Sequence, residues 1–181
     1  MITTDRLVLV PATPDLIRAA LAGTMSLSEA LGATVPSTWP PEYLDDDALR
    51  YALGRMSTDS GPVGWWMHFV LVRPPHPRTL IGSTGYKGPP GADRTVEIGY
   101  GIVADWRRQG YATEAAGGLL RHAFAHPGVD RVIAETLPEL VPSIGVLTKS
   151  GFRLLGPGSE PGVIRFEIAR AVFTSTMGRN L

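Results

Sequence analysis

The chain contains no cysteine among its 181 residues. This absence excludes disulfide bonds, cysteine-ligated metals and any acyl-cysteine intermediate. Neither sign of charge is in excess, because Lys and Arg together number 17 and Asp and Glu also number 17. A net charge of zero gives no overall attraction to nucleic acid or to an anionic membrane, so we expect neither as a partner. Any anion-binding site must therefore be local.

Long apolar runs are also missing. No segment approaches the roughly 18 apolar residues of a membrane span, and the first residues lack the charged and apolar regions of a signal peptide. We therefore expect a cytoplasmic protein, and the length predicts a single domain over residues 1–181. The pair His122 and His126 lacks the glutamate of a His-Glu-x-x-His zinc motif. We expect no metal there and interpret the pair as a solvent-facing helix end.

Strand-like and helix-like segments alternate along the chain, which predicts an α/β protein. β-rich or alternating runs predict strands at residues 6–10, 65–72, 79–86, 95–102, 131–136, 152–155 and 163–168. Apolar stripes at helical spacing, with their capping residues, predict helices at residues 14–23, 45–56, 110–126 and 142–150. A right-handed crossover through the third of these helices makes the strands at 95–102 and 131–136 parallel.

The strand at residues 95–102 has two different faces. One face is apolar, and the other carries Thr95, Glu97, Gly99 and Gly101. Glu97 is thus a carboxylate beside two positions without side chains. Burial could raise the pKa of such a carboxyl group toward a value useful for a general base, whereas a surface or salt-bridged glutamate is the plainer alternative.

The junction at residues 107–112 is the most informative segment. Gly110 stands where a strand gives way to a helix, and a helix start offers unpaired N–H groups and a partial positive charge to an anion. Arg107 and Arg108 precede it directly. The pattern predicts a pocket for a phosphorylated cofactor, although a solvated arginine pair beside an ordinary turn glycine would look the same.

Two other glycine motifs are typical of nucleotide-binding sites. Gly99-x-Gly101-x-x-Ala104 matches a relaxed dinucleotide fingerprint, but its glycines lie inside the strand instead of opening the helix. No Gly-x-x-x-x-Gly-Lys-Ser/Thr sequence occurs, so a P-loop is excluded.

Several ordered segments resemble the GNAT N-acetyltransferase superfamily, in the branch of the ribosomal-protein N-terminal acetyltransferases. They are TDRLVLVPAT (4–13), IGSTGY (81–86), VEIGYGIVADWRRQGYATEA (96–115) and SIGVLTKSGF (143–152). The resemblance implies a mixed, mostly antiparallel sheet that splays at a central parallel strand pair, with helices on both faces. It also implies an enzyme that moves an acetyl group from acetyl-CoA to a primary amine by direct attack.

The same resemblance implies a set of cofactor contacts. Main-chain amides near the helix start would hold the pyrophosphate beside the two arginines, the strand end would pair with pantetheine, and the next helix would contribute a serine. These residues are Ile102, Val103, Arg107, Arg108, Gln109, Gly110, Tyr111, Ala112, Thr113 and Ser143. The chain departs from the branch at Leu140, where an asparagine is common, and it lacks the tyrosine that many relatives use as general acid.

Glu97 is the predicted general base, acting directly or through a water on the acceptor ammonium. His68 is a second, weaker candidate, and Trp39, Trp65 and Trp66 could form an acceptor pocket. The acceptor is either a small-molecule amine or a protein N-terminus, and a homodimer remains open. Two other classes also remain open: an acyl-CoA-binding protein with little or no catalysis, and a plain interaction domain.

Overall fold

A computed structural model of the chain describes residues 1–58 and 64–177. In these ranges eight strands form one sheet: β1 (Ile2–Thr3), β2 (Leu7–Pro11), β3 (Met67–Val72), β4 (Leu80–Tyr86), β5 (Thr95–Ile102), β6 (Arg131–Thr136), β7 (Arg153–Pro157) and β8 (Ile164–Ala169). The helices are α1 (Pro14–Ala22), α2 (Thr24–Leu31), α3 (Asp46–Thr58), α4 (Tyr111–Ala125), α5 (Val141–Lys149) and α6 (Arg170–Met177).

The sheet is mixed, with strand order β1-β2-β3-β4-β5-β6-β8-β7. Only β5 and β6 run parallel, and they pair over three positions, from Thr95 opposite Arg131 to Glu97 opposite Ile133. Beyond Glu97 the two strands separate, so the second half of β5 has a partner only in β4. The predicted mixed sheet, opened at a central parallel pair, is therefore confirmed.

Helices cover both faces of the sheet. On β3, Val70 belongs to the core under α4, whereas its neighbour Phe69 belongs to the core under α1, α2 and α3. This alternation follows from the two-residue period of a strand. Burial on both faces explains why β3 is apolar over nearly its whole length.

Helix α4 lies against the sheet through small residues. Its Ala115, Ala116 and Ala123 have no exposed surface, and a Cβ atom at Gly118 would lie 3.0 Å from the Thr4 side chain. The helix therefore approaches β1 and β2 closely. This contact brings the residues between the first two strands to the first turn of α4.

The structure adds three elements that the sequence patterns did not predict: β1, α2 and α6. The two residues of β1 are strand only because they pair with β2, and α2 begins after Gly23 without a side-chain cap. Such short elements lack strong local signals, because tertiary packing supplies most of their stability.

Two predictions about aromatic and histidine residues are wrong. Trp65 and Trp66 precede β3 instead of forming its first residues. His122 is not solvent-facing: its Nδ1 lies 3.0 Å from the Tyr86 hydroxyl, and its ring packs against Trp65. His126 is exposed at the end of α4, as predicted, although its ring also contacts the Trp65 ring. The indole gives both histidines an apolar neighbour that sequence spacing could not indicate.

Candidate active site where the central strands separate

The second half of β5 presents its main chain to the gap between β5 and β6. The Val103 N–H donates to the Ile81 carbonyl at 2.9 Å, and antiparallel ladder bonds to β4 recur at every second residue back to Glu97. Tyr100 and Ile102 therefore point their N–H and C=O groups away from β4. Because β6 has already diverged, these groups face the gap.

A cavity of about 510 Å³ occupies this gap. Tyr100, Leu140 and Ser143 line it from the side of α4 and α5, and Lys87 and Tyr43 line it from the opposite face of the sheet. The cavity, hereafter the passage, thus connects the two faces. Two reactants could enter it from opposite sides and meet between the strands.

Glu97 lies beside the passage at the last paired position of β5. Its side chain is 20% exposed and forms an ion pair with Lys87. The Oε1 atom of Glu97 is buried and has no hydrogen-bond donor within the described part of the chain. Its contact with the Lys87 ammonium is therefore an ion pair. A Cβ atom added at neighbouring Gly99 would have no atom within 4 Å. The carboxylate therefore borders open space along the strand.

The end of β5 is closed by a loop. A Cβ atom at Gly101 would lie 3.2 Å from Cβ of Pro41, and Glu42 in the same loop lies 3.4 Å from Arg107. Gly101 therefore allows residues 41–42 to lie directly over the strand. Access to Glu97 on this face is consequently from the Gly99 and Lys87 side.

Tyr100 bridges the gap to α5. Its hydroxyl donates to the Ser143 carbonyl at 3.1 Å and lies 3.2 Å from Ser143 Oγ. Burial raises the pKa of Tyr100 to about 12, so the phenol is neutral at physiological pH. A thiol titrates near pH ~8.5, hence Tyr100 can offer a hydrogen bond to a thiolate but gives up its proton reluctantly.

The start of α4 forms an amide cradle, which comprises residues 110–113. Gly110 caps the helix in the left-handed region, with φ 85°, and the first helical bond is donated by Glu114 to the Gly110 carbonyl at 3.0 Å. Within the described ranges, none of the four N–H groups of the cradle has a hydrogen-bond acceptor. Four adjacent unpaired amides at a positive helix end suit a phosphate group.

Arg6 organises the first turn of α4 from outside the helix. Its Nη1 donates to the Gln109 carbonyl at 3.0 Å, its Nε donates to Glu114 Oε2 at 2.6 Å, and its guanidinium lies 4.4 Å from the Tyr111 ring centre. Burial opposes ionisation of Glu114, but bonds from Thr4 and Arg6 outweigh it and hold its pKa below the usual value. Sequence patterns gave Arg6 no role, because 103 residues separate it from Gln109.

The predicted arginines do not both face the cradle. Arg107 Nε donates to the Ile102 carbonyl at 2.8 Å, at the end of the gap. Arg108 is exposed and adopts a left-handed backbone, with φ 62°. Val103 donates to β4 and accepts from Trp106 at 3.0 Å, which leaves little of its main chain for a ligand. Sequence spacing could not predict where these side chains and main-chain groups point, because their orientation depends on how the turn folds.

Other candidates lie outside the passage. Trp39, Trp65 and Trp66 are each at most 8% exposed and pack in the protein interior. His68 is buried with its Nδ1 3.0 Å from the Trp66 carbonyl, and burial lowers its pKa to about 4. A neutral, enclosed imidazole cannot meet an acceptor in the passage. The tryptophan pocket and the His68 base are therefore not supported.

A second cavity of about 840 Å³ extends along α4 from the cradle. Three cationic side chains line it, Arg73 directly after β3, Arg121 from α4 and Lys149 from α5, and they outnumber its two carboxylates, Asp5 and Glu114. We call it the cationic groove. It begins at Gly110 and Thr113, so it continues the amide cradle with positive charge.

Among residues 1–58 and 64–177, no cluster of three metal-ligating side chains is present. None of the helices within those same residues is long and apolar enough to cross a membrane.

Known proteins share both sequence and fold with this chain. Residues 6–153 match the family described as the acetyltransferase (GNAT) domain. The uncharacterised N-acetyltransferase YjdG of Bacillus subtilis is 27% identical over 160 residues, which cover 88% of this chain and 94% of YjdG.

Solved structures share the fold. A GNAT-family acetyltransferase from Bacillus anthracis aligns with a TM-score of 0.64 and 21% identity, over 94% of this chain and 98% of that protein. RimL, a ribosomal alpha-N-protein acetyltransferase solved in complex with coenzyme A, aligns with a TM-score of 0.65 and 16% identity, over 92% of this chain and 95% of RimL.

The family match covers well over half of the chain, from the strand that carries Leu7 to the start of β7. It confirms the resemblance, the fold class and the enzyme class that the motifs at residues 81–86, 96–115 and 143–152 predicted. The chain belongs to the GNAT acetyltransferase family and is an N-acetyltransferase that uses acetyl-CoA as its co-substrate.

Proposed function

We propose that this enzyme acetylates a primary amine that enters the passage from the Glu97 side, by direct attack on acetyl-CoA held on the α4 side. One observation carries the proposal: the Glu97 carboxylate already holds an ammonium group, that of Lys87, beside the point where β5 and β6 separate. An acceptor ammonium needs a carboxylate in this position to take its proton before the nitrogen can attack.

We propose that acetyl-CoA binds on the α4 side of the sheet and contacts the amide cradle, the outward main chain of β5 and the cationic groove. The amide cradle takes the pyrophosphate, with Arg6 fixing the turn from Gln109 to Glu114. The outward N–H and C=O of Tyr100 and the outward N–H of Ile102 pair with pantetheine and direct the thioester into the passage; the Ile102 carbonyl is occupied by Arg107. The cationic groove offers positive charge to the remaining phosphate of CoA.

Arg107 and Ser143 have narrower roles in this proposal, and Arg108 and Val103 have none. Arg107 is already bonded to the Ile102 carbonyl, so it closes the strand end and leaves phosphate binding to the cradle. Ser143 is held by Tyr100, and this pair places a hydroxyl on the thioester side of the passage. Tyr100 is proposed to turn its single hydroxyl proton from the Ser143 carbonyl to the departing thiolate and to stabilise it with a hydrogen bond.

The charge of the passage favours a cationic acceptor. Glu97 lies beside the passage through its ion pair with Lys87. The passage itself is lined by Glu160 and by Glu135, whose carboxylate is engaged by Arg165 at 2.7 Å and by Ser159. Tyr43 is exposed at the rim. Both a small polyamine-like molecule and a peptide N-terminus fit this description, and the ribosomal-protein acetyltransferase RimL supports testing the peptide.

Two measurements test the proposal. Calorimetric titration with acetyl-CoA should give saturable binding, and release of free CoA thiol should follow addition of a suitable amine. The acceptor panel should contain small cationic amines, neutral amines and short peptides with free or blocked N-termini. Binding without thiol release from any amine would favour the non-catalytic alternative, and absence of binding would remove the proposal. The cytoplasmic location and the homodimer stay predictions.

A further inference from the structure

Lysine is rare in this chain. Fifteen of the 17 basic residues are arginine, and the two lysines are Lys87 and Lys149. An arginine guanidinium stays protonated and is a poor acyl acceptor, whereas a lysine amine becomes nucleophilic once it loses a proton. The chain therefore has few internal groups that an acetyl thioester could modify.

Lys87 is placed as an acceptor would be. It follows β4 directly, and its N–H donates to the Glu97 carbonyl at 2.9 Å, which fixes it opposite Glu97 on the neighbouring strand. Its side chain is 65% exposed, yet its ammonium group contacts the Glu97 carboxylate and the residue lines the passage. Lys149 lies elsewhere, at the end of α5 in the cationic groove.

We infer that Lys87 is an internal acceptor, which the enzyme acetylates in its own passage; this inference rests on the proposed function of Glu97. A nucleophile tethered beside the base needs no binding step, and such proximity raises rates strongly. No described residue other than Glu97 forms an ion pair with Lys87. The ammonium is thus positioned by the carboxylate that would deprotonate it.

The reaction balances without a further reactant. Glu97 takes one proton from the Lys87 ammonium, and the neutral Nζ attacks the thioester carbonyl carbon. The new C–N bond forms, the C–S bond breaks, and the second nitrogen proton goes to the departing sulfur. The products are acetyl-Lys87 and CoA thiol, with the proton on Glu97 released to solvent. The product amide is neutral, so the ion pair with Glu97 is lost.

The test uses the purified full chain with acetyl-CoA labelled in the acetyl group and no added amine. Peptide mass spectrometry should find the label on Lys87, with Lys149 and the N-terminal amine as internal references. The rate constant should not depend on protein concentration, because the acceptor belongs to the same chain. Glu97→Gln should lower it by about 10²-fold or more, and Lys87→Arg should abolish labelling at that site while acetyl-CoA still binds.

Each contrary outcome overturns the inference. Equal labelling of Lys87 and Lys149, or equal labelling in the urea-unfolded chain, would show chemical acylation only. A rate that rises with protein concentration would show transfer between copies. An unlabelled Lys87 in an enzyme that binds acetyl-CoA and acetylates an added amine would reject this inference alone. Absence of acetyl-CoA binding would instead reject the proposed function.

Discussion

The amide cradle and the Glu97 end of the passage belong to one candidate active site, but they are built from different materials. The cradle consists of main-chain N–H groups at residues 110–113, shaped by a glycine and by Arg6 from the bend between β1 and β2. The Glu97 end consists of side chains, a carboxylate on β5 and the ammonium of the residue that directly follows β4. A phosphate can be held by any backbone with the right shape, whereas proton transfer requires a particular titratable group.

This difference predicts opposite sensitivities to mutation. At the cradle, side-chain identity matters little and added bulk or a changed backbone angle matters greatly. At the Glu97 end, a change of one functional group without change of volume should be decisive. Four predictions test this contrast, from the largest expected effect to the smallest.

Glu97→Gln should have the largest effect. The amide keeps the size of the carboxylate but cannot take a proton, so turnover of an added amine should fall by about 10²–10⁴-fold. The dissociation constant of acetyl-CoA should stay close to the wild-type value, because the cradle is untouched. Glu29→Gln on α2, an exposed position, is the matched control. Wild-type turnover by Glu97→Gln would refute the base assignment.

The second prediction concerns His68, because its titration limits the pH range in which the folded protein can be assayed at either end of the site. Its pKa is about 4 in the folded chain against 6.5 for the ordinary group. The unfolded chain therefore binds a proton more readily, and stability should fall as pH drops from 6.5 toward 4, by at most about 3 kcal/mol. Below the folded pKa this contribution no longer changes.

Urea unfolding across this pH range measures the effect. His68→Asn, whose amide can still donate to the Trp66 carbonyl, should be less stable at neutral pH but should lose less stability in acid. An unchanged acid dependence in this variant would show that other groups control it. Activity profiles for Glu97 should be recorded where unfolding is negligible.

Gly110→Ala tests the cradle by adding one methyl group. The residue has φ 85°, and the new Cβ atom would lie 3.3 Å from Arg6 Nη2. Left-handed backbone costs a non-glycine residue roughly 1–2 kcal/mol, so the free turn should relax out of the shape that binds the phosphate. Restoring that shape on binding should lower acetyl-CoA affinity about tenfold, while the pH profile of turnover keeps its shape. Gly145→Ala in α5, where a Cβ meets nothing within 4 Å, is the control. Equal affinities for wild type and Gly110→Ala would contradict a main-chain cradle.

Arg6→Gln should have the smallest effect of the four. Its ion pair with Glu114 is partly solvent-exposed, and such pairs contribute about 1 kcal/mol or less. Loss of the bond to the Gln109 carbonyl should loosen the turn and weaken acetyl-CoA binding by about three- to fivefold. Arg18→Gln removes an exposed pair with Asp15 on α1 and is the control. Calorimetry should show weaker acetyl-CoA binding for Arg6→Gln than for Arg18→Gln. Identical affinities would show that Arg6 does not contribute to the cofactor site.

The sequence patterns predicted those parts of the site that depend on neighbours in the chain. Gly110 at the start of an apolar helical stripe indicated the cradle, and the alternation from Thr95 to Gly101 placed Glu97 on the open face of β5. Arg6, Lys87 and Tyr100 gained their roles only from the fold. Arg107 shows the reverse case, because its position beside the cradle in sequence did not determine its direction in space.

The amino-acid order alone determined strands β2 to β8, the long helix α4 and the family, because hydrophobic periodicity, capping and ordered motifs are local properties. The tertiary structure decided which groups meet across the sheet. The separation of β5 from β6 after Glu97 exposes main-chain groups, and β4 brings Lys87 opposite the carboxylate. Such contacts depend on strand register and helix packing, which arise when distant segments bury their apolar faces together.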